Sequence, residues 1–122
     1  GTIAHALVLA RRVRPIATTG QLAAMVSKNQ RTLSRVFQAL RIAVNDELGA
    51  LREGLLGSES LVSLGGRLVV ISFHSLEDRI VKEFFKRAIW KMITKRPQRA
   101  SFHEVEENIR SRSAKLRVAE KL

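Results

Sequence analysis

Only two segments of this 122-residue chain pattern as β-strands, and that limits what it can fold into on its own. Arg67–Ser72 (RLVVIS) is a β-branched run typical of a buried strand. In Lys115–Lys121, Leu116 and Val118 alternate with Lys115 and Arg117, as in a strand whose Lys115 and Arg117 face is wet. The remaining pattern is helical, so the order is helix, helix, long helix, strand, helix, strand. Such alternation belongs to an α/β layer architecture. Two strands make a poor sheet alone, so the rest of the sheet is expected from outside these residues. The first residue is Gly rather than Met, and the start is read as a cut.

The helices are marked by their ends. Residues 3–14 stop before Pro15, which disfavours α geometry in the residue preceding it. Thr18 and Gln21 have capping-box spacing and open a helix to about Val26. Ser27–Leu33 is polar and reads as a loop. Phe37, Leu40, Val44, Leu48, Leu51 and Leu55 then recur every three or four residues, one continuous helical stripe that breaks over Gly57–Ser63. Leu64-Gly65-Gly66 is a turn. Ser75 and Asp78 have the spacing of a helix N-cap and its N3 partner, and that helix is predicted to run to about Ile93.

Charge points to a polyanion. Lys and Arg number 22 against 11 Asp and Glu, a net charge of +11, while 45% hydrophobic residues suffice for a core. Residues 79–122 hold 13 basic and 5 acidic side chains, and residues 1–78 hold 9 and 6. Lys86, Arg87, Lys91, Lys95, Arg96 and Arg99 follow one another with no acid among them. A solvated face normally interleaves acids, so phosphate contact is favoured. A single Trp and no Tyr give no evident stacking platform. No apolar run approaches the ~20 residues that span a bilayer, so no membrane partner is expected.

Candidate chemistry is sparse. The absence of Cys excludes a disulfide framework, a Cys-type zinc site and a thiol nucleophile. His5, His74 and His103 lack metal-ligand spacing, and no metal is expected. His74-Ser75 is not a nucleophile–base pair, since no G-x-S-x-G elbow surrounds Ser75. The interest of Phe73, His74 and Ser75 is positional, because a loop leaving the carboxyl end of a strand in an open α/β sheet is where ligands bind. His74 suits holding that loop by hydrogen bonds as well as it suits touching substrate. Glu77 and Asp78 fit helix N-terminal positions better than an acid/base pair. Arg41 and Asn45, four apart, share a helix face as a surface hydrogen bond or a binding pair. Gly65-Gly66 precedes a strand rather than linking strand to helix, so it is no phosphate loop.

Four stretches together resemble the RsmH/MraW family of S-adenosylmethionine-dependent methyltransferases, which act on cytidine N4 in small-subunit ribosomal RNA. Arg35-Val36-Phe37-Gln38-Ala39-Leu40-Arg41-Ile42, continuing to Val44-Asn45 and Glu47-Leu48, is similar to its R-T-F-Q-A-L-R-I…V-N…E-L helix. Gly65–Leu68 with Ser72–Lys82 (SFHSLEDRIVK) matches its G-G-R-L…S-F-H-S-L-E-D-R-I-V-K block, and Asn108–Glu120 resembles N-P-R-x-R-S-A-x-L-R. Thr18-Thr19 with Gln21-Leu22-Ala23 fits T-x-x-Q-L-A. Val36, Leu64 and Ile109 depart from the pattern, and the Ser27–Leu33 loop is shorter. The family's glycine-rich cofactor loop and active-site segment lie upstream of these blocks.

The resemblance implies an α/β fold: the end of an inserted helical domain over 1–33, and the second half of a Rossmann-like methyltransferase core over 34–122. It implies S-adenosyl-L-methionine as cofactor and catalytic positions at Phe73, His74 and Ser75. Arg35, Gln38, Arg41 and Asn45 would face the substrate, and Arg110, Arg112, Lys115 and Arg117 would hold RNA backbone. The partners implied are small-subunit rRNA or a ribosome-assembly intermediate, and an upstream half in the same or another chain. The compartment would be the bacterial cytoplasm or an organelle matrix. The alternative is a degenerate, non-catalytic member that serves as an rRNA-binding assembly factor.

Overall fold

A computed structural model describes residues 1–122 throughout, as two compact units, Gly1–Asp46 and Glu47–Leu122. The first unit is helical: α1 (Thr2–Val13), α2 (Thr19–Val26) and α3 (Gln30–Asn45). Arg14 turns extended ahead of Pro15 and ends α1. The expected capping box opens α2: Thr18 Oγ1 accepts from the Gln21 amide at 3.2 Å, and Gln21 Oε1 accepts from the Thr18 amide at 3.2 Å. The polar Ser27–Leu33 stretch is not a loop throughout. Asn29 Oδ1 accepts from the amides of Arg31 and Thr32, so α3 begins at Gln30 and the polar residues beyond are its wet face.

The apolar stripe expected to form one continuous helix is instead divided. Asp46 sits in the left-handed region (φ 47°, ψ 42°), closing α3, and α4 (Glu47–Leu61) starts at the next residue. One residue leaving helical geometry does not disturb an i, i+4 spacing, so periodicity cannot show it. The break expected over Gly57–Ser63 falls at the end of that stretch, because α4 continues to Leu61. Ser58 and Ser60 donate to the carbonyls of Leu55 and Gly57 and are absorbed into the helix.

The second unit continues with β1 (Arg67–Ser72), α5 (Ser75–Phe84), β2 (Trp90–Met92), α6 (Phe102–Glu107), a 3-10 turn (Ile109–Ser113) and β3 (Lys115–Lys121). The sheet has three strands in the order β1-β3-β2, with β3 antiparallel to both neighbours. The helix expected to reach Ile93 ends at Phe84, and β2 follows. Phe85 and Trp90 occupy apolar positions equally compatible with a longer helix, but their rings close the core against Phe84 at centroid separations of 5.7–5.8 Å. Leu55, Val81 and Ala119 complete that core.

Register corrects the facing of β3. Leu68 pairs with Ala119 and Val70 with Arg117, placing Arg117 and Ala119 on the face that packs on the core. Arg117 is 4% exposed, whereas the alternation predicted a wet side chain there. Leu116 and Val118 share the opposite face with Val69 and Ile71, which stay about half exposed. The outer edge of β1 has no strand partner within the unit. No helix is long and apolar enough to cross a membrane.

The chain enters β1 through a tight turn. Gly65 has φ +73°, its amide donates to the Lys121 carbonyl at 2.8 Å, and the Lys121 ammonium caps the Glu59 and Val62 carbonyls at the end of α4. A Cβ on Gly66 would lie 2.8 Å from the Ser63 carbonyl oxygen, whereas one on Gly54 in α4 meets nothing within 4 Å. Gly66→Ala is expected to destabilise the intact protein by roughly 1–3 kcal/mol, and Gly54→Ala to stabilise it by up to about 1 kcal/mol. Urea midpoints of the two variants check both signs.

Candidate functional site at the end of the first strand

Buried Ser72 ends β1, and the loop that leaves it is held by one glutamate. Glu77 Oε2 accepts from the amides of Phe73 at 2.8 Å and His74 at 3.2 Å. In return His74 Nδ1 accepts from the Glu77 amide at 3.4 Å, so α5 opens on a His–Glu capping box. This corrects the sequence expectation: the cap is His74, not Ser75, and its N3 partner is Glu77, not Asp78. Ser75 is the first helical residue, and exposed. An aromatic ring that accepts at Nδ1 does the work of the oxygen that capping rules look for. Phe73 leaves its ring 54% exposed at the strand's carboxyl end.

Asp78 is occupied elsewhere. Its two carboxylate oxygens accept from Arg117 Nε at 2.6 Å and Nη2 at 3.2 Å, a bidentate pair between α5 and the middle strand. The hydrogen bond from Arg117 holds the Asp78 carboxyl below its ordinary value, against the opposing effect of burial, with the Arg117, Lys115 and Lys82 charges acting in the same direction. Arg117 is therefore a core residue and not an exposed cation for RNA.

Glu47, His74 and Glu77 each bring a ligand-capable atom within 4.8 Å of the others. Within this cluster, His74 Nδ1 and Glu77 Oε2 are engaged in the cap, while the buried His74 Nε2 lies 3.2 Å from Glu77 Oε1. Gly65-Gly66 joins a helix to a strand, and the space a glycine cradle would leave at Gly66 is filled by Ser63 and Val62. These residues do not fit a cofactor loop. A groove of about 470 Å³ between α4 and α5, lined by Arg52, Leu55, Leu56, Arg79, Ile80 and Phe84 among others, does not include Phe73–Ser75.

The other sequence candidates fall on separate elements. Arg35, Gln38, Arg41 and Asn45 occupy one face of α3 by their spacing, with Gln38 half-buried and the others exposed. Arg110 and Arg112 are exposed on the 3-10 turn, and Lys115 is half-buried at the start of β3. A stronger basic surface escaped the division of the sequence at residue 78. Residues 1–46 carry seven Lys and Arg, all exposed, against Asp46 as their one acid. The acids at 47, 53, 59, 77 and 78 belong to the second unit and had masked that excess.

The chain belongs to the MraW methylase family, whose sequence model matches residues 1–122. It is 56% identical over 128 residues to the ribosomal RNA small subunit methyltransferase H of Deinococcus deserti, covering 98% of this chain and 43% of that protein. The corresponding protein of Deinococcus radiodurans is 54% identical over 127 residues, with 98% and 41% covered. That of Chloroherpeton thalassium is 45% identical over 148 residues, with 98% and 46% covered. All three stretches are longer than the 122-residue chain, that of Chloroherpeton thalassium most of all, so these relatives carry extra residues within the matched region. The chain spans less than half the length of these relatives.

Replacing Asp78 by Asn leaves the buried Arg117 guanidinium without its counter-charge and should lower stability by about 3 kcal/mol at neutral pH. Because the folded-state value of Asp78 is depressed, its stabilisation is present above the ordinary 3.8 and is lost as pH falls through the lower folded value. The gap between parent and variant should therefore close in acid below about that pH. Denaturation curves of both proteins at neutral and acid pH measure it.

Proposed function

We propose that this chain is one part of an S-adenosylmethionine-dependent methyltransferase that modifies small-subunit ribosomal RNA, at cytidine N4 near the decoding region. The observation that carries this is the match along the whole chain to proteins named ribosomal RNA small subunit methyltransferase H, at up to 56% identity. We assign residues 34–122 to the second half of a Rossmann-like core and residues 1–33 to the end of an inserted helical domain. Two features support the first assignment. β1 and β2 run in one direction with β3 reversed between them, and the outer edge of β1 and the Val69–Ile71 face are open to further strands and helices. The working compartment would be the one in which the small ribosomal subunit is assembled, the cytoplasm of a bacterium.

S-adenosylmethionine, when bound, supplies the methyl group, and its binding is assigned to parts of the protein beyond these residues. What the chain itself contributes is a stiff wall and a charged surface. Phe73 and His74 lie at the carboxyl end of β1, where ligands of open α/β sheets collect, and they would face the target base. Orientation of a base against its reaction partner is sensitive to sub-ångström placement, which a loop with both backbone amides tied to Glu77 can provide. The exposed face of α3 with Arg35, Gln38, Arg41 and Asn45, and the turn with Arg110 and Arg112, would contact the RNA.

A non-catalytic rRNA-binding assembly factor is the second reading, favoured by the Val36, Leu64 and Ile109 departures from the family pattern and by the shortened Ser27–Leu33 stretch. Incubating the intact protein with labelled S-adenosylmethionine and small-subunit assembly intermediates separates the two. Label incorporated at one nucleotide supports the enzyme, and RNA binding without incorporation supports the factor.

For the enzyme, His74→Ala is expected to lower kcat by at least about tenfold while RNA affinity changes less than about twofold. Arg110→Ala with Arg112→Ala should make the slope of log affinity against log salt shallower by about one unit per lost phosphate contact. Arg117→Ala should instead lower stability with no change of slope, since the side chain is buried against Asp78.

A further inference from the structure

We propose that Glu77 is the positioning residue of this site, acting through His74 rather than touching substrate. This rests on the reading of Phe73 and His74 as the base-facing loop. One carboxylate takes both backbone amides of the loop and lies beside its imidazole. Oε2 takes the amides of Phe73 and His74, at 2.8 and 3.2 Å, and so sets the backbone as it leaves β1. Oε1 lies 3.2 Å from His74 Nε2, a buried nitrogen that makes no aligned hydrogen bond, and the Glu47 carboxylate stands within 4.8 Å of the same group.

The imidazole is thereby assigned one tautomer. Nδ1 accepts the Glu77 amide at 3.4 Å, so the ring proton of the neutral form is assigned to Nε2, 3.2 Å from a carboxylate oxygen. The ring is 12% exposed and Glu77 23%, so water does not compete freely for these bonds. Asp78, the next residue, is locked to Arg117 on β3, which fixes the first turn of α5 and with it the place from which Glu77 reaches back. A plain helix cap requires only the backbone half of this arrangement. The contact to Nε2 is what ties ring orientation to the same carboxylate.

Glu77→Gln in the intact protein separates the two halves. Glutamine keeps a carbonyl oxygen for the two amides, as capping boxes allow, but it presents an NH₂ group to His74 Nε2–H, donor against donor. The variant should keep the parent's thermal midpoint. Its kcat for rRNA methylation should fall about tenfold, with KM for RNA within about twofold of the parent. Two-bond ¹H–¹⁵N spectra of the histidine rings give a readout independent of activity, the His74 signals being assigned by their loss in His74→Ala. The parent's neutral form should carry its proton at Nε2, and Glu77→Gln should shift or average that pattern.

An unchanged His74 pattern in Glu77→Gln overturns the proposal, as does an unchanged kcat in that variant when His74→Ala is impaired. Should His74→Ala retain full kcat while Glu77→Gln still disturbs the ring, the clamp stands and the base-facing role of the loop fails.

Discussion

The bidentate pair between Asp78 and Arg117 is the contact on which the α/β unit is organised. Arg117 lies on the middle strand, opposite Val70 of β1, so its guanidinium emerges under the helix that follows β1. Asp78 lies in the first turn of that helix, where a carboxylate also complements the helix dipole. A charge that is almost wholly desolvated must be paired, and only one placement of α5 over β3 does so. The pair thus fixes the helix in translation along the sheet, which aliphatic contacts with Val81 and Phe84 alone would specify less sharply. Everything at the carboxyl end of β1 inherits that position.

From that anchored turn, two consecutive acidic residues serve different ends. Asp78 reaches inward to the sheet, and Glu77 reaches back to the amides of Phe73 and His74. The strand-to-helix connection is left with few free torsions, an arrangement suited to presenting a side chain and not to moving one. Positive charge is arranged differently, on exposed helices and turns. The helical unit, with seven basic residues and one acidic residue, contributes a larger share of the excess per residue than the α/β unit. Under the proposed function, a rigid presenting loop and a diffuse cationic surface would be complementary parts of RNA recognition, since phosphate contacts position and local contacts specify.

Family membership was legible in the residues, because the run Ser72–Lys82 combines a strand end, a cap and a helix start in an order that chance does not reproduce. The Thr18–Gln21 box was legible for a simpler reason: both partners lie within one turn and need no tertiary support. The short strand β2 was not legible, since three residues inside a run of apolar positions carry no period of their own. Nor was the division at Asp46, where a single left-handed residue interrupts the helix without altering the spacing of its apolar side chains. The histidine cap was missed because Ser75, a preferred capping residue, stands immediately beside it.

By itself the sequence determined the local elements that close within a few residues, the excess of positive charge and the mixed α/β order of the second unit. Which side of β3 is buried was decided only by the tertiary structure. Leu116 and Val118 on one face and Arg117 and Ala119 on the other make both parities feasible, and the apolar pair was the natural choice for the inside. The opposite parity holds because α5 covers the Arg117 face and supplies Asp78 at 2.6 Å, giving a buried charge its counter-charge. A period-2 pattern records which residues share a face, but what lies over that face comes from a residue 39 positions away in the chain.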